Sequence, residues 1–581
     1  MAIAATVSGV ISRSRALTRV RELVPLPTPL PTAADALDPG RASTRALFLV
    51  SLCAAAPFLL STLVLLVWPN SLVLRGDAAV IELAVRNAAD FTQHLGPYSR
   101  FGWTHPGPAW FYALAPIYVL GGENAASLLA ATQFLNAVVC VLIVLAASGR
   151  RLGPALGAAS GVLVFVLAAP GAVFAEIWNP YATVLPALLF LVLIARAIDG
   201  SVFWLLGAGI AGSFLVQTHL GAGLPVAACL AAAALVLLIR GAIRLAVLLP
   251  SHAFRFTWRW SWLYMAAASG ALLVIMWIPT MLDQRGGIRN LTMLHKFLKL
   301  TEKTGTGHTA AQGLVLIDRL VVPPPWSVDL AAVLTPGPVT AATVLGLCGF
   351  ALVNLVIAML AWRRGVRTAA VLAALAVLLV PAGIAAVVQI EGNLHDYLVA
   401  WFLAVPGATL LAACQLPATV LVERASKLDA LPNPTRTSIA AVALFAATAT
   451  AFFLPRVGHS TDCCTQNDVL RADHALLAAT SSAPYPGAPI NIQYEANGEW
   501  PLATGLAAVL AEHGWSPRFP PGAAWTFKLP AGTRDPSVPT VWIRSGSESP
   551  QPGYRFIARV PGVAMWQEGD FVGIVEFRQH G

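Results

Sequence analysis

Charge is scarce in this chain. Only 11% of its 581 residues are Asp, Glu, Lys or Arg, against about 25% in soluble proteins. With 57% hydrophobic residues and a mean hydropathy of +0.70, that shortage excludes an ordinary soluble domain. Cysteine is scarce too. Of the seven, Cys53, Cys140, Cys229, Cys348 and Cys414 lie inside apolar runs, where a thiol behaves as a small hydrophobe, and no spacing suited to a metal is present. Cys463 and Cys464 alone sit in polar sequence, which leaves a vicinal disulfide or a bond to another chain open. "KTGTGHT" (303–309) lacks the spacing of a P-loop, which excludes that phosphate cradle. No short apolar core with a cleavage site opens the chain, so no removable signal peptide is expected, and no repeat period is visible. Acidic residues number 28 against 37 basic ones, for a net charge of +9. In a chain this apolar the excess belongs to cytoplasmic loops and anionic headgroups, so no nucleic-acid partner is expected.

Long apolar runs are what the sequence has in abundance. They predict spans at 46–68, 124–148, 154–175, 182–198, 201–219, 221–239, 261–281, 338–361, 368–390, 397–420 and 437–455, each near the ~20 residues that cross a bilayer. The fold class is therefore an all-α polytopic membrane protein of about eleven spans. Threaded with the N-terminus inside, Arg150/Arg151, Arg196, Arg240/Arg244/Arg255/Arg259, Arg363/Arg364/Arg367 and Arg424/Lys427/Arg436 all fall on the cytoplasmic side. "AWFYALAPIYVL" (109–120) is too short to cross and reads as a juxtamembrane helix. The expected organisation is a disordered basic cytoplasmic tail (1–45), a transmembrane domain (46–455) and a domain outside the membrane (456–581). The transmembrane domain carries large outside loops at 69–123 and 282–337. "PINIQYEA", "VPTVWIRSG", "YRFIARVPG" and "GIVEFRQ" read as strands and 500–514 as a helix, so the last domain is a small α/β unit.

The ionisable groups that do occur are clustered. "GDAAVIELAVRNAADFTQHLGPYSRFGWTHPGPAWFYALAPIYVLGGENAAS" (76–127) holds Asp77, Glu82, Arg86, Asp90, His94, Arg100 and His105. Ile81, Ala84, Val85, Ala88, Phe91 and Leu95 recur at helical spacing. Asp77 stands at the start of that helix, where Asp is a favoured N-cap worth ~1 kcal/mol; at a membrane edge it also suits a general base. Glu82 and Arg86, at i,i+4, are placed to pair along an exposed face. Arg100 and His105 stand among Tyr98, Phe101, Trp103 and stiffening prolines, as interfacial anchors or as cations for a phosphate at headgroup level. In the second loop Leu291, Leu294, Phe297 and Leu298 share one helical side, with Arg289, Lys296, Lys299 and Lys303 elsewhere. That pattern fits a helix resting on anionic lipid, or a lid over a lipid phosphate. Glu176 and His219, at the outer ends of two spans, are candidate cavity residues.

Together with "HPGPAWFYALAPIYVLGGENAASLL", these features resemble the signature of GT-C class glycosyltransferases that use polyprenyl-phosphate sugars. Protein O-mannosyltransferases and aminoarabinose transferases are among them. In that class an acidic residue opens the first outside loop. A Lys/His-Pro-Pro-Leu stretch, an aromatic juxtamembrane helix and G-x-x-E/S-x-A-x-R follow. Asp77, His105-Pro106 and Gly122 through Ser127 stand at the matching positions. "WNPYATVLPALLF" (178–190) and "NLHDYLVAWFLAVPGATLLA" (393–412) resemble two further family stretches, with Tyr397 aligned and Pro406 near the family's proline. Gly107 replaces a proline of the pattern, Asn179 an Asp, and His395-Asp396 a Lys-Arg pair.

The resemblance implies a GT-C fold over roughly 46–420 and an inverting glycosyltransferase at the outer face of the cell membrane. It would move a sugar from a polyprenyl-phosphate donor to a glycan, lipid or protein acceptor. Asp77 would be the catalytic base and Glu82 would position the acceptor. Arg100, His105, Arg289, Lys296 and His395 would meet the donor phosphate, while Trp103, Glu176, Asn179, His219, Asp396 and Tyr397 would line the acceptor site or cavity. Some members of the class bind a divalent cation, though no ligand set for one stands out here. Ala- and Arg-rich usage is compatible with a GC-rich bacterium such as an actinobacterium, where decaprenyl-phosphate arabinofuranose and mannose are candidate donors for cell-wall biogenesis. Two rival readings remain open. A secondary transporter or lipid flippase would put charges at the bilayer midplane and show internal repeats. A non-catalytic envelope assembly protein would be built around its C-terminal domain.

Overall fold

The computed structural model describes residues 42–68, 72–99, 101–200, 202–248, 260–304, 307–323, 328, 330, 337–427, 434–457, 466–480, 485–494, 499–533, 535, 537–545, 553–561 and 572–578. The N-terminal tail, Arg100, Cys463 and Cys464 lie outside the described residues. The chain opens with α1 (Thr44–Val67), the loop helices α2 (Gly76–Ala89) and α3 (Ala109–Leu120), and then α4 (Ala125–Ser148) and α5 (Leu152–Ala168). It continues through α6 (Asn179–Ala182), α7 (Val184–Asp199), α8 (Phe203–Thr218), α9 (Gly223–Leu248) and α10 (Trp260–Gly286). Two more loop helices, α11 (Asn290–Thr304) and α12 (Ala310–Val321), precede α13 (Ala341–Arg363) and α14 (Arg367–Val388). A 3-10 stretch over Asp396–Leu403 leads into α15 (Ala404–Lys427), and α16 (Pro434–Phe453) follows.

Among the described residues nine helices are long and apolar enough to cross a membrane. The protein is an integral membrane protein. α5 and α8, of 17 and 16 residues, are apolar as well, and with them each of the eleven expected spans has its helix. α5 stops early because Pro170 follows it. The preceding Ala169 is extended, with φ −68° and ψ 154°, as a residue before proline prefers. α3 has 12 residues, about 18 Å at 1.5 Å per residue, well short of a ~30 Å hydrocarbon core.

Small residues let the helices approach closely. Gly153, Gly157 and Gly161 recur every four residues along one face of α5. A Cβ added at each would lie 2.6, 2.4 and 2.8 Å from the Cα atoms of Thr419, Gln415 and Leu411 on α15. The two backbones are thus in direct contact, as small-residue faces allow in lipid. Phe58 of α1 packs edge-on against Phe453 of α16, with ring centroids 5.1 Å apart, so the first and last long helices are neighbours. Basic connections gather at one end of the bundle. The Ala42 N–H donates to the Arg150 carbonyl at 3.0 Å, and Arg196 Nη1 donates to Thr368 Oγ1 at 3.2 Å.

After α17 (Gln466–Thr480) come β1 (Ala488–Tyr494), α18 (Trp500–Glu512), β2 (Trp515–Arg518), α19 (Pro521–Phe527), β3 (Thr540–Ser545), β4 (Arg555–Pro561) and β5 (Val572–Arg578). The sheet order is β2-β1-β3-β5-β4, parallel across β2-β1-β3 and antiparallel from β3 onward. All four expected strands and the expected helix form. β2 is an addition: four residues, "WSPR", give no alternating pattern to read. The core of this unit does not close on itself. Val73 and Leu83, from the first loop, are buried with Leu502, Leu506, Ile490 and Val541.

Candidate active site

The left-handed turn at Gly76 (φ +55°) brings the chain from extended Arg75 into α2, a turn that suits glycine. Asp77 falls in the first helical turn rather than at the cap. Arg75 is the N-cap residue and makes no side-chain capping bond. The carboxylate turns instead to two aromatic donors. Tyr98 donates its hydroxyl to Oδ1, and Trp178 donates Nε1–H to Oδ2 at 2.8 Å. Burial first, and then the Asp77 carboxylate, hold the Tyr98 phenol well above its ordinary range, so it stays protonated.

Tyr98 is presented by a short hairpin. It bridges to Thr104 across a turn at Gly102 (φ +79°), and the His105 N–H closes onto the Pro97 carbonyl at 2.7 Å. The hairpin is stapled from the second loop. Asn290 accepts from the Thr104 N–H at 2.8 Å and donates Nδ2–H to the Thr104 carbonyl at 2.9 Å. Asn290 is itself held by Asp283, which accepts its N–H at 2.7 Å. Thr280 Oγ1 donates to the Pro106 carbonyl at 3.1 Å. Trp178 leads into α6 in extended conformation, with its ring against Tyr397 (4.6 Å between centroids) and Tyr181 (5.0 Å).

These parts wall a cavity of about 250 Å³ at the bundle end away from Arg150 and Arg196. Asp77, Trp103, His105, Asn179, His219 and Tyr397, all expected from the sequence, line it. Its other described walls include Tyr98, Trp178, Phe297, Gln389 and Glu391. His105 is buried, with its ring 4.8 Å from that of His219 and edge-on to Trp103 at 5.5 Å. Its Nδ1 accepts the Leu220 N–H at 3.0 Å, which leaves the proton on Nε2. Burial, with His219 beside it, pushes His105 well below its ordinary value, so it is neutral at pH 7. Beside the loop runs a second, apolar groove of about 1070 Å³, bordered by α3, α4, α7, α8 and α10, with His94 and Tyr112 among its lining residues.

No protein-family model matches the chain, and no curated protein does. Among solved structures it is similar to ArnT from Cupriavidus metallidurans in the apo state, at 13% identity and a TM-score of 0.48, over 89% of this chain and 97% of that one. It is similar to the same protein bound to undecaprenyl phosphate, at 13% identity and a TM-score of 0.46, over 92% and 98%. It is also similar to the archaeal oligosaccharyltransferase AglB from Archaeoglobus fulgidus in complex with an inhibitory peptide and a dolichol-phosphate. There the identity is 14% and the TM-score 0.39, over 80% of this chain and 64% of that one. The first two likenesses run nearly end to end.

The remaining expected residues are placed differently. Glu82 does not line the cavity and does not pair with Arg86 on an exposed face. It is buried, accepts from Tyr118 at 3.1 Å, and is hydrogen-bonded to Glu512 of α18. Arg86 binds Glu123 at 2.9 Å instead. α2 ends at Ala89, and Phe91, at φ 57° and 79% exposed, drops out of the predicted stripe. Arg289 and Lys296 are exposed and line no part of the cavity, although Phe297 and Leu298 of the same helix do. Glu176 is half-buried outside it. His395 is buried and stacks on Tyr397 at 5.1 Å. Asp396 is buried and ion-paired with Arg319 at 3.1 Å, a partner that the sequence does not announce. No Lys or Arg is among the described lining residues. No group of three His, Cys, Asp or Glu among the described residues is arranged to hold a metal ion.

Proposed function

We propose that this protein is an inverting GT-C class glycosyltransferase that moves a sugar from a polyprenyl-phosphate donor to a glycan, lipid or protein acceptor at the outer face of the membrane. The observation that carries the reading is the Asp77 carboxylate, gripped by Tyr98 and Trp178 at an aromatic-walled cavity. Asp77 lines the cavity, and its carboxylate oxygens are acceptors that a substrate hydroxyl can approach from there. In the step proposed, Asp77 takes the proton of the acceptor hydroxyl as its oxygen bonds to the anomeric carbon. The bond from that carbon to the phosphate oxygen breaks on the opposite face, and its electron pair leaves with the polyprenyl phosphate. Neutral His105 offers the leaving oxygen an Nε2–H donor. Arg100, which stands in sequence between the cavity residues Ser99 and Phe101, is the cation proposed for the phosphate. The apolar groove beside the loop gives an isoprenoid chain a surface to lie on. An arabinofuranosyl or mannosyl donor is the finer proposal, and it rests on amino-acid usage alone.

The test is transfer of labelled sugar from a polyprenyl-phosphate donor in proteoliposomes. Asp77→Asn keeps the shape of the side chain and loses the base, so the variant should bind donor normally while transfer falls ~10²–10⁴-fold. Transfer near the wild-type rate would remove Asp77 from the chemistry.

A further inference from the structure

The setting of Asp77 is completed by a part of the chain more than 400 residues away. Phe527, the last residue of α19, stands edge-on to the Tyr98 ring, with centroids 4.9 Å apart and planes at 90°. The same Phe527 ring lies over Trp500 at 5.1 Å and 32°. Trp500 in turn covers Gly76, where an added Cβ would sit 3.3 Å from its Cη2. Two aromatic rings of the C-terminal unit therefore touch the residue before Asp77 and the residue that donates to it. α18 is seated firmly enough to transmit this. Thr504 Oγ1, which bonds chiefly to the Trp500 carbonyl of its own helix at 3.0 Å, comes within 3.4 Å of the Gly76 carbonyl, and Gly505 lies so close to the loop that a Cβ there would be 2.7 Å from the Leu74 carbonyl oxygen. At the far end of α18, Glu512 accepts the Ala125 N–H at 3.1 Å.

The Tyr98 side chain needs such a support. Its hairpin is fixed through backbone bonds and Asn290, none of which touches the ring. The hydroxyl oxygen lies on the ring axis, so the direction of that axis, set at χ1, decides whether it reaches Asp77. A ring packed edge-on at 4.9 Å stabilises the rotamer that points this axis at Asp77 over those that would swing it away.

We infer that Phe527, backed by Trp500, is a positioning residue that holds the Tyr98 hydroxyl on Asp77. The C-terminal α/β unit is then part of the catalytic machinery rather than an appended module. This rests on the reading of Asp77 as the base. Phe527 touches Tyr98 and acts on Asp77 only through it.

The experiment uses full-length protein in lipid nanodiscs with 3-fluorotyrosine at position 98. Asp77→Ala sets the ¹⁹F position of a Tyr98 that has lost its acceptor. Phe527→Ala should move the resonance toward that position, and Phe527→Tyr, which keeps the ring, should restore it. Phe527→Leu keeps apolar bulk without the ring and should behave as Phe527→Ala does, which separates orientation from simple unfolding. Phe556→Ala, at a 44% exposed site on β4, should leave the resonance in place. In the transfer assay Phe527→Ala should lower kcat on the order of tenfold with the donor KM unchanged. It should add little to Tyr98→Phe, because both remove one interaction. An unmoved resonance, or fully additive losses, would overturn the inference. Absence of transfer by the wild type would instead overturn the glycosyltransferase reading, and the ¹⁹F comparison would still decide the role of Phe527.

Discussion

His105 carries no charge at neutral pH, because its ring is buried against His219 and its Nδ1 already accepts a backbone N–H. Two outcomes follow at this single residue. It is a neutral donor, but its proposed partner is an anionic phosphate oxygen, so the contact is charge-assisted and should contribute ~1.5–3 kcal/mol to donor binding. His105→Ala should therefore weaken donor affinity about 12- to 160-fold, which titration calorimetry would measure. The second outcome is a pH slope. Above the ordinary histidine value of 6.5 both folded and unfolded chains are neutral here, and the stability is whole. Below it the unfolded chain takes a proton that the folded one refuses, so stability falls progressively with pH toward the depressed folded value. His105→Gln should flatten that part of the thermal-midpoint profile; an unchanged slope would assign it to other groups. Asp77 was legible in the sequence, as an acid where apolar sequence gives way to a loop. Its two donors were not. Tyr98 and Trp178 lie 21 and 101 residues away, and nothing local distinguishes a tryptophan that binds a carboxylate from one that anchors a helix.

Glu82 belongs to the scale of elements, because it joins two of them. Its carboxyl on α2 meets Glu512 on α18, and a hydrogen bond between two carboxyl groups requires a shared proton. Burial, then Glu512, raise Glu82 well above its usual range; Arg86 and Tyr118 on the facing side act against that. Asp473 of α17, also near Glu512, is pushed up to about 8, chiefly by burial. For Glu82 the sign is that of a carboxyl that stays protonated in the fold. Its contribution is whole below the ordinary value of 4.5 and is lost as pH rises toward the raised folded value. Glu82→Gln keeps a donor for Glu512 and cannot ionise. It should match the wild type near pH 5 and unfold at a higher temperature than the wild type near pH 9, in thermal scans of the reconstituted protein. A wild type that gains on Glu82→Gln toward alkaline pH would refute the shared proton. Helix existence was readable here, since α2 keeps Ile81, Ala84, Val85 and Ala88 buried as their spacing demands. Its partner was not. The i,i+4 rule offers Arg86 to Glu82, while tertiary packing gives Arg86 to Glu123 and Glu82 to another unit.

For the whole molecule the eleven-helix plan was almost fully legible, because bilayer thickness sets helix length and apolar runs reveal it directly. Contacts at the basic end agree with the threading: residues 42, 150, 196 and 368 meet there, and the Asp77 cavity opens at the other. Reporters fused after Arg151 or Arg364 should accordingly report cytoplasm, and fusions near Lys303 or after Arg456 the outside. A cytoplasmic C-terminal unit would put the cavity on the wrong leaflet. The sequence did not disclose that this unit shares a core with the first loop, since Val73 and Leu83 look like ordinary helix-packing residues. That shared core has a consequence in time. About 450 residues separate Asp77 from Phe527, so at ~5–20 residues per second a ribosome needs roughly 20 to 90 s to pass from one to the other. Throughout that interval the newly made first loop has Val73 and Leu83 without the core they share and Tyr98 without its Phe527 neighbour. On the proposed reading the enzyme is silent through most of its own synthesis, and its activity waits for the C-terminal unit, whose last three strands follow Phe527 in the chain.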